Sequence, residues 1–491
     1  MLTRLKVDGF KNLIDVDLSF GPFTCIAGAN GVGKSNVFDA IAFLGSLADA
    51  TFVEAAAAVR SDGDEGAELS DVLFRSGECS RESLLFECEL LIPRLGEDDL
   101  GQPAEATSTF LRYSLELCLR SDGALGSTRL ELVREELVHI NKSAARADHL
   151  PFVGKDGGEW FDSVFVNDRK GGPFISTVVE QGERKVRLHQ DGRSVSGEKR
   201  RGRTVDFLAD RLPRTVLSST SAVESPTATL VRRELRSWRR LQLEASSLRR
   251  SDRFDAPAVL GADGSHMPKA LHELAERERA ERAATSVYSE LTARLTELVD
   301  DIRGIDVDVD QVRRRLTLNA TSADGIVHPA RSLSDGTLRF LALAILERGG
   351  RPELICLEEP ENGIHPTRIA AIIQLLLDIV VDPDFPVDED NPLRQVIVNT
   401  HSPGFVESCP VDALVVADTA ERLDDRSGCR IKAARFSALP RTWRHKRDPN
   451  VQPIFLPQLL SYLAYTPRSG THVPSDAVGP YVEKQIPLAI D

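Results

Sequence analysis

The chain has 491 residues, 41% of them hydrophobic and 28% charged, and carries a formal net charge of −14. That length accommodates two or three domains at about 100–200 residues each, and the composition is that of a globular chain that buries a core. The acidic balance repels nucleic acid on average, so any such contact requires a local basic patch; aromatics at 6% argue against a surface built on stacking.

Seven cysteines (Cys25, Cys79, Cys88, Cys118, Cys356, Cys409 and Cys429) form no CxxC pair. They fit a reduced, cytoplasmic setting and offer no cysteine metal site. The opening MLTRLKVDGFKNL has neither a long apolar core nor a cleavage signature, so no signal peptide is expected. Apolar stretches such as Leu338–Leu346 fall far short of the ~20 residues a membrane span needs, and no membrane partner is expected.

In chain order, Leu2–Val7 and Ile14–Phe20 alternate and Phe23–Ala27 is a short apolar run, which predicts three strands. A glycine-rich loop follows, then an apolar-periodic helix from Lys34 to about Leu47. Residues 51–80 are small, acidic and glycine-punctuated, and read as a mobile connection. Strands are predicted at Leu84–Ile92, Leu111–Leu119 and Arg129–Val138. Lys185–Gln190, followed by Asp191-Gly192, reads as one arm of a hairpin.

Residues 204–300 read mainly as helix, interrupted near 251–268. Thr229–Arg250 carries Arg232, Arg233, Arg236, Arg239, Arg240, Arg249 and Arg250. Ala270–Ile302 has an apolar stripe of Leu271, Leu274, Val287, Leu291, Leu295 and Val299. These helices form a short arm or a packed insertion. From about 303 the pattern is α/β, with strands at Ile305–Val309, Leu316–Asn319, Leu354–Leu357 and Gln395–Asn399 and a helix at Pro366–Val381. The acidic stretch 382–392 reads as a solvated loop, and the last ninety residues are weakly patterned.

Two segments carry most of the chemistry. Gly28-Ala-Asn-Gly-Val-Gly-Lys-Ser35 matches GxxxxGK[ST] between a strand and a helix. Its glycines let successive N–H groups face a phosphate, and the helix N-terminus adds partial positive charge. Lys34 balances the β- and γ-phosphates, and the Ser35 hydroxyl is placed for Mg²⁺. Gly28, Asn30, Gly31 and Gly33 complete the cradle. In Glu353-Leu-Ile-Cys-Leu-Glu-Glu359, two carboxylates end a buried strand at the sheet edge where ligands bind. Glu358 is placed to reach the metal and Glu359 to orient or deprotonate a water.

His401 ends the strand Val396–His401, within reach of the same edge. Ser334-Asp-Gly-Thr337 opens an apolar helix. Ser334 or Asp335 caps it, or its hydroxyl and N–H groups bind a γ-phosphate. The lysine loop already takes one phosphate, so a second phosphate-binding helix start suggests a site shared between two subunits.

These residues resemble the ATP-binding-cassette ATPases of the SMC/RecF/OLD type. Leu5-Lys-Val-Asp-Gly-Phe-Lys-Asn12, the Gly28–Ser35 loop, Leu333-Ser-Asp-Gly-Thr-Leu-Arg-Phe340, Leu357-Glu-Glu-Pro-Glu-Asn-Gly-Ile-His-Pro366 and Asn399-Thr-His-Ser402 occur in that family's order. The resemblance covers roughly residues 1–50 and 325–405.

It implies an α/β, ABC-type (RecA-like core) ATPase head with a β-rich lobe and a helical insertion. The expected divisions are 1–200, 201–302, 303–420 and a C-terminal extension, 421–491. It further implies ATP with Mg²⁺, Ser334 and Gly336 completing the site of a second protomer, Glu361-Asn362 as a dimer-facing loop, and His401 as a switch histidine. Glu358 departs from the aspartate that many relatives carry. The family's Mg²⁺-sensing glutamine has only Gln181 and Gln190 as weak matches.

Without long heptad runs the chain is unlike SMC proteins. Without a DxD after Leu414–Asp418 no built-in Toprim nuclease is expected. What remains resembles stand-alone OLD-like ATPases, many of them anti-phage components that form ATP-sandwiched dimers and work with a separate effector, often a nuclease. The alternatives are a slow-turnover sensor or scaffold, and a RecF-type repair ATPase binding nucleic acid through the arginines of 229–253.

Overall fold

A computed structural model describes residues 1–464 apart from 60–68, 78, 123–126, 146–148, 155–156, 169–170, 192–203, 281–285, 297–298, 300, 350–352, 425, 427 and 448–452. Its centre is a six-stranded sheet in the order Arg239–Leu241, Leu354–Glu358, Gln395–Thr400, Phe23–Ala27, Leu414–Leu423, Arg430–Ala438. The first five strands are parallel, and Arg430–Ala438 closes the edge antiparallel. Beside it lies an eight-stranded antiparallel sheet, Thr204–Leu208, Glu183–His189, Ile175–Glu180, Ser127–His139, Phe110–Asp122, Ser83–Leu91, Leu2–Asp8, Val16–Ser19.

Alternation along the central strands sorts the core into two layers. Leu354, Cys356, Ile397 and Ile26 face one way, joining the antiparallel sheet and the helix Lys34–Ser46 in one apolar cluster. Ile355, Leu357, Val396, Val398 and Cys25 face the other way. There they meet the helices Asp335–Arg348 and Ile369–Ile379. Burial on both faces explains why these strands read as unbroken apolar runs.

The same second cluster buries Leu271 and Leu274 of Met267–Ala280 and Val287, Leu291 and Leu295 of Val287–Thr296. These helices are therefore a packed layer and not an arm. Two expectations need correction. Residues 51–80 include the helix Phe52–Ala58, capped by reciprocal bonds between Thr51 and Glu54, with Phe52, Ala55 and Ala56 buried; 60–68 lie outside the described residues. The arginine-rich stretch is not one helix. It runs as a helix over Pro226–Arg236, extends as Arg239–Leu241 into the central sheet, and is helical again only over the single turn Ala245–Leu248. The surrounding 204–300 also holds the strands Thr204–Leu208 and Asp252–Arg253.

One buried carboxyl fastens the antiparallel sheet to the segment that leads into Pro226–Arg236. Glu135 accepts the N–H groups of Val216 and Leu217 at 2.7 and 2.9 Å and the Tyr113 hydroxyl at 3.2 Å. Burial pushes it from 4.5 up to about 7, against the pull of the two backbone donors. The folded chain therefore holds a proton there that the unfolded chain has released, and stability falls as pH rises through that window. Thermal unfolding midpoints should decline between pH 4.5 and 7, and Glu135→Gln should flatten that slope.

Candidate nucleotide site

The loop after Phe23–Ala27 is braced from two sides. The Gly28 N–H donates to Thr400 O at 3.1 Å, fastening the loop to the neighbouring strand. Gly33 has φ 109°, in the left-handed region, and a Cβ there would come within 2.6 Å of the Asn12 amide. That amide donates to Val32 O at 3.3 Å and receives Asn36 Nδ2 at 2.7 Å. Glycine is thus required by backbone conformation and by close approach together. Lys34, only 6% exposed, donates to Gly28 O at 2.5 Å and Ala29 O at 2.8 Å. Burial lowers its pKa; the carboxylates of Glu359, Glu361 and Glu358 pull the other way.

Across the sheet edge, the two carboxylates diverge. Glu358 ends its strand facing the loop helix, where its Oε1 lies 2.5 Å from Arg240 Nη2 in an ion pair. Glu359 leaves the strand with φ 44°, a conformation uncommon for a residue with a side chain. Its N–H donates to Asn399 O at 3.1 Å. One carboxylate oxygen meets His401 Nδ1 at 2.6 Å and the other accepts Asn362 Nδ2 at 2.7 Å. Next to it, Glu361 is buried and bonded to Thr400, and burial raises its pKa.

Asn30, Gly31, Gly33, Lys34, Ser35, Asn36, Glu358, Glu359 and Asn399 line one cleft of ≈ 310 Å³. The structure therefore brings together two segments more than 300 positions apart. His401 joins them through Glu359. Ser334 and Gly336 are not in that lining. Ser334 caps Asp335–Arg348, accepting the Thr337 N–H at 3.2 Å. A Cβ on Gly336 would come within 2.6 Å of Gly363 O, so this helix start rests on the loop that follows Glu359. Arg339 donates to Asn362 O across the same seam.

The donor set suits Mg²⁺, a hard cation that takes one or two protein oxygens and fills the remaining positions with water and phosphate. Ser35 and Glu358 supply oxygens of that kind in one cleft. Among the described residues no group of three His, Cys, Asp or Glu side chains forms a self-sufficient metal cage.

Sequence reasoning missed Asn12, Asn36 and Asn399, although Asn12 and Asn399 stand inside the motifs it singled out. It read Arg240 only as one of a nucleic-acid-binding set of arginines and missed Asp39, to which Arg240 is ion-paired. Gln242 directly follows Arg239–Leu241 at the carboxyl edge, beside the Glu358 strand. Gln181 instead sits in the turn between Ile175–Glu180 and Glu183–His189, at φ 56°.

A solved structure described as the SmcHead bound to the C-winged helix domain of ScpA has 15% identity to this chain. The similarity covers 89% of this chain and 98% of that one, at TM-score 0.45. The SMC head domain from Thermotoga maritima has 13% identity over 88% and 98% of the two chains, at TM-score 0.34. A curated relative, the OLD nuclease of Thermus scotoductus, is 51% identical over 41 residues, which is 8% of each chain. Among the described residues, no helix is long and apolar enough to cross a membrane. The family described as "AAA domain, putative AbiEii toxin, Type IV TA system" matches residues 23–78 and 183–407. That match takes in both halves of the cleft and more than half of the chain, and the chain belongs to this AAA-domain family.

Proposed function

We propose that this chain binds and hydrolyses ATP, that two copies enclose two nucleotides between them, and that the resulting state gates a separate effector in anti-phage defence. The observation carrying the ATPase reading is the single cleft lined by Lys34, Ser35, Glu358 and Glu359. Lys34 leaves its two loop carbonyls to meet the β- and γ-phosphates. Ser35 and Glu358 hold Mg²⁺, which neutralises phosphate charge when bound. Glu359 accepts the proton of the attacking water, and His401, already on its carboxylate, orients the pair. Ser334 and Gly336 face the γ-phosphate held by the partner protomer, and Gln242 takes the metal-sensing position.

The defence reading draws support from the family description, which names a toxin of a toxin–antitoxin system, and from the OLD nuclease match. Nuclease chemistry is assigned to the effector. A slow-turnover sensor is the second reading, favoured by one observation: both Glu359 oxygens are already bonded.

The test is phosphate release and ATP binding in Mg²⁺ and in EDTA. Wild-type protein should release phosphate only with Mg²⁺. Lys34→Ala should weaken ATP binding by at least about thirtyfold, the loss expected when a buried charge partner is truncated. Equal ATP binding by wild type and Lys34→Ala would overturn the site.

A further inference from the structure

Arg240 has a place beside the cleft that none of these roles uses. It pairs in register with Cys356 of the neighbouring parallel strand. Cys356 and Glu358 lie two residues apart and share a face, so Arg240 projects toward Glu358 on the side of the loop helix. Its Nη2 lies 2.5 Å from Glu358 Oε1, and its Nη1 pairs with Asp39. Asp39, 5% exposed within Lys34–Ser46, also holds Lys11 Nζ at 2.5 Å. Lys11, Asp39, Arg240 and Glu358 thus form a chain of alternating charge drawn from four separate segments. Arg240 is not part of the cleft lining, so any effect it has on the nucleotide passes through Glu358.

The arrangement answers a specific need. A glutamate has one more rotatable bond than an aspartate, and an unfixed carboxylate gives up that freedom when it binds. A guanidinium is a planar fork that can hold two carboxylates at once, which an ammonium on a flexible stem cannot. We propose that Arg240 is a positioning residue of the nucleotide site: it neutralises Glu358 and fixes it against Asp39 of the loop helix, leaving the second Glu358 oxygen to act on the hydrated metal. The inference rests on the ATP-site reading above.

The test is the Mg²⁺ dependence of binding of a fluorescent ATP analogue to the full chain. Arg240→Gln should raise the half-saturating Mg²⁺ concentration about tenfold, the size seen when an outer-shell partner of a metal ligand is lost. Analogue affinity in EDTA should be unchanged. In a Glu358→Gln background, Arg240→Gln should add nothing further. Arg240→Lys should fall between wild type and Arg240→Gln, and it decides the matter if Arg240→Gln does not fold. Wild-type Mg²⁺ dependence in the folded variant, or an undiminished shift in the Glu358→Gln background, overturns the role of Arg240 alone. A wild-type chain that binds the analogue no better with Mg²⁺ than with EDTA overturns the site reading and this inference with it.

Discussion

Glu359→Gln is expected to lower ATP turnover by about 10²–10⁴-fold, the range a positioned general base contributes, while ATP still binds. Glutamine keeps the length of the side chain but cannot accept a proton. The backbone that aims residue 359 does not depend on its charge: the N–H bond to Asn399 O at 3.1 Å holds the φ of 44° in either variant. His401 and Asn362 also contact the side chain from both sides, so the variant stays in place. With hydrolysis blocked, the ATP-bound state accumulates. Light scattering should then show a doubled mass with ATP and Mg²⁺ that persists, whereas wild type returns to its starting mass as ATP is consumed. Near-normal turnover in Glu359→Gln would remove it as the base, and ATP-bound protein of unchanged mass would remove the sandwich.

How much of this was legible in the sequence depended on whether a feature is local. The phosphate loop is eight consecutive residues flanked by a strand and a helix, and the acidic strand is seven, so both could be read from one stretch of chain. The buried central strands announced themselves as apolar runs because both of their faces are covered. Thr51-Phe-Val-Glu54 was equally legible as a capping box, but the small and acidic residues around it drew the reading toward a loop.

The arginine-rich stretch failed for a different reason. Arginine is a good helix former, and nothing local in Arg239–Leu241 opposes a helix. Pairing with Ile355–Leu357 in the central sheet decides its conformation, and such pairing between distant segments overrides propensity. That pairing also alters the functional expectation for these residues. Arg232 and Arg236 pair with Asp49 and Asp99, Arg239 with Glu353, Arg240 with Asp39 and Glu358, and Arg249 with Asp335. Arginines already paired with neighbouring carboxylates of the same chain are less free to release counterions from a nucleic acid. For Arg239 and Arg240 these pairings favour a role within the fold over the nucleic-acid contact expected of the arginines of 229–253.

A mixture of Lys34→Ala and Ser334→Arg chains should recover ATP turnover that neither chain shows alone. If Ser334 completes the partner's site, both sites of each pure variant dimer are broken, one by the lost ammonium and the other by a bulky cation at the helix start. Co-assembly changes the count. One site of the mixed dimer carries both defects, and the other combines an intact phosphate loop with an intact Ser334. Random pairing at equal concentration makes half of the dimers mixed, so turnover should reach about a quarter of the wild-type value for a two-fold assembly. The geometry supports this division of labour. Gly336 rests on the loop after Glu359, and neither it nor Ser334 lines the cleft that holds Lys34. Substitution at an exposed cap position leaves the apolar face of Asp335–Arg348 in its core, so both chains should fold. The readout is phosphate release against mixing ratio, which should peak at equal amounts. A flat, inactive profile would place Ser334 outside a partner's site, and strong activity of Ser334→Arg alone would take it out of the nucleotide chemistry altogether.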